Sequence, residues 1–400
     1  MARGTNLEHT REFNRRAVLD ALRRSGTASR TEIAARTGLS LSAISSLVDT
    51  LVQDGWVAAQ GRRSTARGQP PIDFALARDG AFGIGVSLDR DHAAATLIGL
   101  TGDVVAERHR SLDDPSASEA VGVVAALTAE LLGVLSRSER GRVSGLGVGV
   151  PGVMAKDGRV MRMVRLPRWE GFDMVEATQR ATGLPTTVTN DAIAAAVGES
   201  SYGHHVRGTE TFFYVLFALG LGSSLVMHGH PHRGLWGVTG RLGHIPVDSA
   251  GPDCPACGGR GCLSLYASVE ALAERLAAVG AVARGPLTAS LDTIATRFAH
   301  GDAIVDAWID EAAQALARGL VVLENLLDPD AYVFDGRMPR DVLAALVRRT
   351  EERYLAQRRS GAPERRLRLL TGERGTGAVA FGAASVPLYL ATAADLALVR

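Results

Sequence analysis

Between Gly240 and Leu265 the chain reads GRLGHIPVDSAGPDCPACGGRGCLSL. This stretch holds every cysteine of the protein, Cys254, Cys257 and Cys262, with His244 ten residues before the first. Thiolate and imidazole are the donors that Zn²⁺ favours in tetrahedral sites, and Cys₃His is a common closed set. The surrounding Pro and Gly let a short loop turn back and aim its sulfurs at one point. A lone CxxC pair could equally do thiol–disulfide exchange. Here a third cysteine and a nearby histidine complete a four-ligand site, against the alternative of three unrelated buried thiols. No ligand position stays open, so the expected zinc is structural.

The elements that must position this loop belong to a chain of 400 residues, more than one core usually holds, so two or three domains are expected. With 46% hydrophobic and 22% charged residues, the composition is that of an ordinary globular protein. No run of eighteen apolar residues occurs and the N-terminus lacks an apolar signal core, so neither membrane insertion nor export is expected. Three cysteines in so long a chain point to a reducing cytoplasm. The net charge of +1 hides an asymmetry, because residues 1–75 carry eleven Arg against seven Asp or Glu. That excess leans towards nucleic acid.

The first 77 residues read as a DNA-binding unit. A helix is expected over 11–24, closed by Gly26. Ser29 and Glu32 have capping-box spacing at the start of RTEIAART, and Ser40 can cap a third helix with Ile44, Leu47, Val48 and Leu51 inside. Two short helices around a Gly-containing turn form a helix-turn-helix. The second would present small residues, Ser42, Ala43 and Ser46, to a major groove. Trp56–Val57, the loop GRRSTARGQPP and the return strand Ile72–Leu76 add a wing, with Arg62, Arg63 and Arg67 placed for phosphate or a narrow minor groove. A small helical module that binds protein is the competing reading.

From Arg78 onwards strands alternate with helices, and polar residues close strand ends, as in LPTTVTND followed by AIAAAVGES. This is an α/β pattern with a ligand crevice at strand ends. FFYVLFALGLGSSLVMHG opens a second lobe, and helices are expected over 264–279, 285–299 and 302–327.

GVGVPG, LPRWEGFD, TNDAIAAAVGES, GRLGH and CPACGGRGCL resemble the signatures of the ROK family of repressors, open reading frames and sugar kinases. With the N-terminal unit, the resemblance is to its transcriptional repressor branch, typified by xylose repressors, and spans nearly the whole chain. It implies a winged helix-turn-helix (1–77) followed by two actin-like, ribonuclease-H-like lobes (78–192 and 193–400), with the C-terminal helix returning to the first lobe. It also implies a dimer or tetramer on double-stranded operator DNA, and a sugar cleft braced by the zinc loop, where His244 would touch both metal and pocket.

Carried over residue by residue, Asn190, Asp191 and His244 keep the family's sugar-site pattern. Arg165 stands where Asn is usual, Arg241 replaces a Glu, and Ser264 replaces another. Lost acceptors and gained guanidinium groups make a phosphorylated or carboxylated sugar the expected effector; a decayed pocket, or arginines turned to solvent, is the alternative. Asp191 matches the family's catalytic base. The phosphate loops of the kinases are altered, one reading Val86–Arg90 and the other Gly220-Leu221-Gly222, so no enzymatic activity is expected. An active sugar kinase and a ligand-independent repressor are the competing functions.

Overall fold

The computed structural model describes residues 7–62, 71–155, 159–163, 166–234, 239–282, 287–357 and 368–393. Helix α1 (Leu7–Ser25) is longer than the expected 11–24 and stops at Gly26, whose φ of +75° suits glycine. After strand β1 (Thr27–Ser29) comes α2 (Arg30–Thr37), started by the Ser29–Glu32 capping box. Ser40 caps α3 (Leu41–Gln53), which buries Ile44, Val48 and Leu51. Strands β2 (Val57–Arg62) and β3 (Ile72–Leu76) pair antiparallel, and β1 joins the other edge of β3. The three helices and this small sheet close over Leu19, Leu22, Ile33, Val48 and Phe74.

Strands β4 (Phe82–Leu88), β5 (His92–Gly99) and β6 (Val104–Ser111) form an antiparallel meander. Helices α4 (Ala117–Val134) and α5 (Arg137–Arg140) lead to β7 (Val143–Val150). The hairpin of β8 (Val153–Met154) and β9 (Val160–Arg162), α6 (Met174–Thr182), β10 (Thr186–Asn190) and α7 (Asp191–Tyr202) follow. The sheet runs β10-β7-β4-β5-β6, with β4, β7 and β10 parallel. By length and composition α4 could cross a membrane. Here Ala120, Val124, Leu127 and Leu131 of α4 are buried in the core cluster of this sheet.

The second lobe repeats the plan. Strands β11 (Thr211–Phe217), β12 (Leu221–Met227) and β13 (His230–Pro231) are antiparallel. Then come α8 (Ser264–Ala267), α9 (Val269–Ala278), α10 (Leu287–Ala299), α11 (Ala303–Leu327), β14 (Ala331–Gly336), α12 (Arg340–Gln357), β15 (Leu369–Thr371) and α13 (Ala378–Thr392). Its order, β13-β12-β11-β14-β15, with β11, β14 and β15 parallel, is the connectivity of the first sheet. The helix expected over 264–279 is two helices, because Ser268 leaves helical geometry and caps α9 through the Ala271 N–H. Neither α6 nor α12 was anticipated. Helix α6 is only nine residues long, and α12 carries seven charged residues among its eighteen.

Helix α13 is apolar on nearly all sides and lies between the first sheet and α7. It comes so close that a Cβ on Gly85, Gly147 or Gly382 would stand 2.0–2.1 Å from a backbone atom across the contact. Phe381, Ala384 and Leu388 of α13 also enter the core of the N-terminal helices. Gly147→Ala should therefore cost about 3 kcal/mol or prevent folding. Gly122→Ala in α4, where a Cβ meets nothing within 4 Å, should be neutral or stabilise by up to about 1 kcal/mol. Urea unfolding of both variants checks this, and equal midpoints would contradict the close packing.

Candidate functional site

The lobes face each other across a cavity of about 270 Å³, lined by the ends of β7, β10 and β9 on one side and by the β11–β12 turn and the metal loop on the other. Its floor is built by the start of α7. Asn190 caps that helix: its side-chain oxygen accepts from the Ala192 and Ile193 N–H groups, and its amide donates to the Gly152 carbonyl at 2.9 Å. These bonds tie β10 to the turn after β7, so most of the Asn190 side chain is spent on structure. Gly152 has φ +113°, and a Cβ there would meet the Arg162 carbonyl at 2.5 Å.

Asp191 keeps an edge open to the cavity. Burial and the nearby charge of Asp89 push its pKa up to about 7, although the Ala192 N–H donates to its carboxylate at 2.8 Å. A carboxyl that titrates near neutrality can take a proton from a sugar hydroxyl. Behind it, Asp89 and Asp91 are buried on the turn after β4 and face Arg337, itself buried, from the turn after β14. The guanidinium donates to Asp91 at 3.2 Å and stands 3.8 Å from Asp89, which joins the two lobes. Burial works against the charge of Asp91, but the His92 hydrogen bond and Arg337 hold its carboxyl well below the ordinary range. Ligand atoms of Asp89, Asp91 and His92 lie within 4.8 Å of one another.

His244, Cys254, Cys257 and Cys262 bring one donor atom each within 4.8 Å of the others, on a loop tied by the Cys254 N–H to the Gly259 carbonyl and the Val247 N–H to the Gly261 carbonyl. Gly261 has φ +60° and its Cβ position collides with the Asp248 carbonyl. Tetrahedral zinc spaces sulfurs about 3.8 Å apart and sulfur from nitrogen about 3.6 Å. The observed spacings are 3.5 Å for Cys257–Cys262 and 3.7 Å for Cys254 Sγ to His244 Nδ1. Burial pushes the Cys262 thiol up to about 12, so its thiolate needs a cation beside it. Burial, Arg241 and Arg162 lower the pKa of His244, which keeps the imidazole neutral and able to ligate. The residues fit a structural zinc site, and His244 also lines the cavity.

Of the other expected pocket residues, Arg241 and Ser264 line the cavity, while Arg165 lies outside the described residues. Arg162, Ser223, Thr239 and Glu270 also line it and were not anticipated. Arg162 sits opposite Val153 in the β8–β9 hairpin and donates to the Ala256 carbonyl of the metal loop at 3.2 Å. Glu270 opens α9, and the break at Ser268 that brings it to the cavity went unforeseen. At the N-terminus, Ser42 and Ser46 are exposed on α3 and Ala43 is partly exposed. Arg63, Arg67 and the side chain of Arg62 lie outside the described residues.

The ROK family model matches residues 83–388, so the chain belongs to the ROK family. An IclR helix-turn-helix domain model matches residues 17–61. The fold is thus an N-terminal helix-turn-helix region followed by mixed α/β ROK lobes. A xylose repressor of Bacillus subtilis is 27% identical over 266 residues, 66% of this chain and 68% of that protein. The solved structure of a ROK family transcriptional regulator, a homologue of the Escherichia coli MLC protein, superposes with a TM-score of 0.75 at 22% identity. It covers 96% of this chain and 98% of that one. A ROK family glucokinase from Streptomyces griseus, in complex with glucose and AMPPNP, superposes with a TM-score of 0.65 at 25% identity over 76% of this chain and 99% of its own.

The last likeness overturns the expectation that the chain is no enzyme. That expectation set the two altered turns against the presence of Asp191 and let the turns decide. The lobes superpose on a kinase, Asp191 titrates near neutrality at the cavity, and the Asp89–Asp91–His92 cluster offers metal-binding groups behind it. These features leave no ground for excluding catalysis.

Two measurements check the site. Purified protein should contain about one zinc per chain, and Cys257→Ser or Cys262→Ser should lower both metal content and melting temperature. Full occupancy in either variant would remove that ligand. Folded Asp191 holds its proton up to about pH 7, whereas an ordinary Asp loses it near 3.8. The folded state thus binds the extra proton between those values, and that stability is lost as pH rises through the window. Asp191→Asn should raise the melting temperature more at pH 8 than at pH 5; equal shifts would contradict the raised pKa.

Proposed function

We propose that this chain is a cytoplasmic transcriptional repressor whose affinity for operator DNA is set by a sugar-derived effector in the cavity at Asp191. The carrying observation is one chain that combines a helix-turn-helix match with ROK lobes and a sugar-sized cavity between them, as the likeness to a xylose repressor favours. In this reading residues 1–77 are a winged helix-turn-helix. The lobes, 78–192 and 193–400, are actin-like and ribonuclease-H-like, in keeping with their shared strand order. Ser42, Ala43 and Ser46 approach the major groove while Arg62, Arg63 and Arg67 reach phosphates or the minor groove. Two copies on a homodimer or homotetramer would meet half-sites spaced by whole helical turns.

The effector would lie along a charge gradient. Arg162 and Arg241, both close enough to depress His244, make one end cationic, and Asp191 with Glu270 supplies acceptors for hydroxyls. A sugar carrying a phosphate or carboxylate suits both ends, with Arg165, Asn190, His244 and Ser264 as further contacts. Sugar phosphorylation is a second reading, favoured by the neutral-range titration of Asp191. Sugar-dependent ADP release from ATP that Asp191→Asn abolishes would carry it, and turnover indifferent to that change would remove it.

Ser42→Glu should weaken binding to DNA selected by the protein by roughly tenfold or more, since it sets a carboxylate beside phosphates. Ser42 is exposed, so folding should be spared. Gel-shift titration at fixed salt reads the change, and unaltered affinity would move the DNA face elsewhere. Isothermal titration with a hexose and its 6-phosphate should favour the phosphate in the wild type and lose that preference in Arg241→Glu. Preference of the wild type for the plain hexose would refute the anionic effector.

A further inference from the structure

A second cavity, about 470 Å³, lies where the N-terminal helices meet the lobes. Leu22 and Arg23 of α1, Gly26, and Ala75 and Leu76 of β3 form one wall. The β5–β6 turn, Ser201–Tyr202 at the end of α7, His204, Arg207 and Arg374 form the other. Its charged lining is three arginines and one aspartate, Asp103, with His204 beside them. Asp103 is already engaged by the Thr101 hydroxyl at 2.5 Å and by Arg78 at 3.7 Å.

The arginines are under-used. The Arg23 side chain is 7% exposed, and while one terminal nitrogen binds Asp20 at 2.6 Å, its Nε has no hydrogen-bond partner among the described residues. The same holds for Ser201 Oγ. Arg374 stacks its guanidinium 3.7 Å over Phe381, which fixes the group near the buried carboxyl of Glu199. Among the described residues neither Arg207 nor Arg374 has a carboxylate at ion-pair distance. Buried donors without acceptors are costly, and several guanidinium groups converging on one space recognise dianions of the phosphate type.

We infer that this junction cavity is a second ligand site, for a small phosphorylated molecule, separate from the cavity at Asp191. The phosphate would accept from Arg207 and Arg374, with the charge of Arg23 beside them. One wall belongs to the DNA-binding region and the other to the lobes, so an occupant bridges the two and biases their relative placement. This holds whatever ligand the cavity at Asp191 takes.

Equilibrium dialysis and melting curves with inorganic phosphate test it on the full chain. With this cavity unaltered, the protein should bind phosphate and melt at a higher temperature in its presence. Arg207→Glu, a change at an exposed residue, should weaken binding at least tenfold, and Arg374→Gln should do the same. All of these are measured in an Arg241→Glu background, so that phosphate taken up by the cavity at Asp191 does not contribute. Cooperative melting of each variant without phosphate separates lost binding from lost fold, and Arg207→Lys should restore part of the affinity. Absence of phosphate binding in the Arg241→Glu background, or survival of that binding when Arg207→Glu is added to it, would overturn the site.

Discussion

Everything in this molecule depends on how closely α13 can approach the first sheet and α7. A helix normally packs 8–10 Å from its neighbour, held off by side chains. Here glycines on both sides bring backbone against backbone, as at Gly147 against the Ala383 carbonyl and Gly382 against the Ala194 carbonyl. Helix α13 is thereby fixed to the element that begins with Asp191. Through Phe381 and Leu388 it also shares a core with α1 and the helix-turn-helix region. A rigid element touching both the ligand floor and the DNA-binding unit is a physical route between them, since packed cores switch between discrete arrangements in preference to bending smoothly.

The lobes are joined differently. Arg337 reaches from the second sheet to Asp91 and Asp89 on the first, all three buried. Such a cluster contributes little net stability, because desolvation offsets much of the attraction. Removing one member would leave uncompensated buried charge. Its effect is to set the register of the two lobes at the back of the cavity, beside Asp191. The zinc loop sets the front wall by holding His244 and the loop that supports Arg162. The charge cluster and the metal loop thus bound the cavity from opposite sides, the loop being anchored as well by Leu242 and Leu263 in the core of the second lobe.

Local chemistry was legible in the sequence wherever few residues suffice to specify it. The Ser29–Glu32 capping box, the strand Ile72–Leu76 and the cysteine loop all appear as read, since each rests on residues close in the chain. The pocket was half legible. Asp191, Arg241, His244 and Ser264 meet at one cavity, but Asn190 is largely consumed by capping, and Arg162 and Glu270 depend on a hairpin register and a helix break that no short pattern signals. Arg337 is 246 residues from Asp91, beyond any local reading. The inference against catalysis failed for a related reason: it judged turns singly, whereas a site is a convergence of distant groups.

The central claim is that occupancy of the cavity at Asp191 changes affinity for DNA. It is tested most directly by measuring the dissociation constant for a self-selected DNA site with and without a saturating ligand of that cavity, and the ligand's own constant with and without DNA. Coupling obliges both to change by one common factor, expected to be at least about fivefold. A DNA affinity identical in the two states, with the ligand demonstrably bound, would contradict the account.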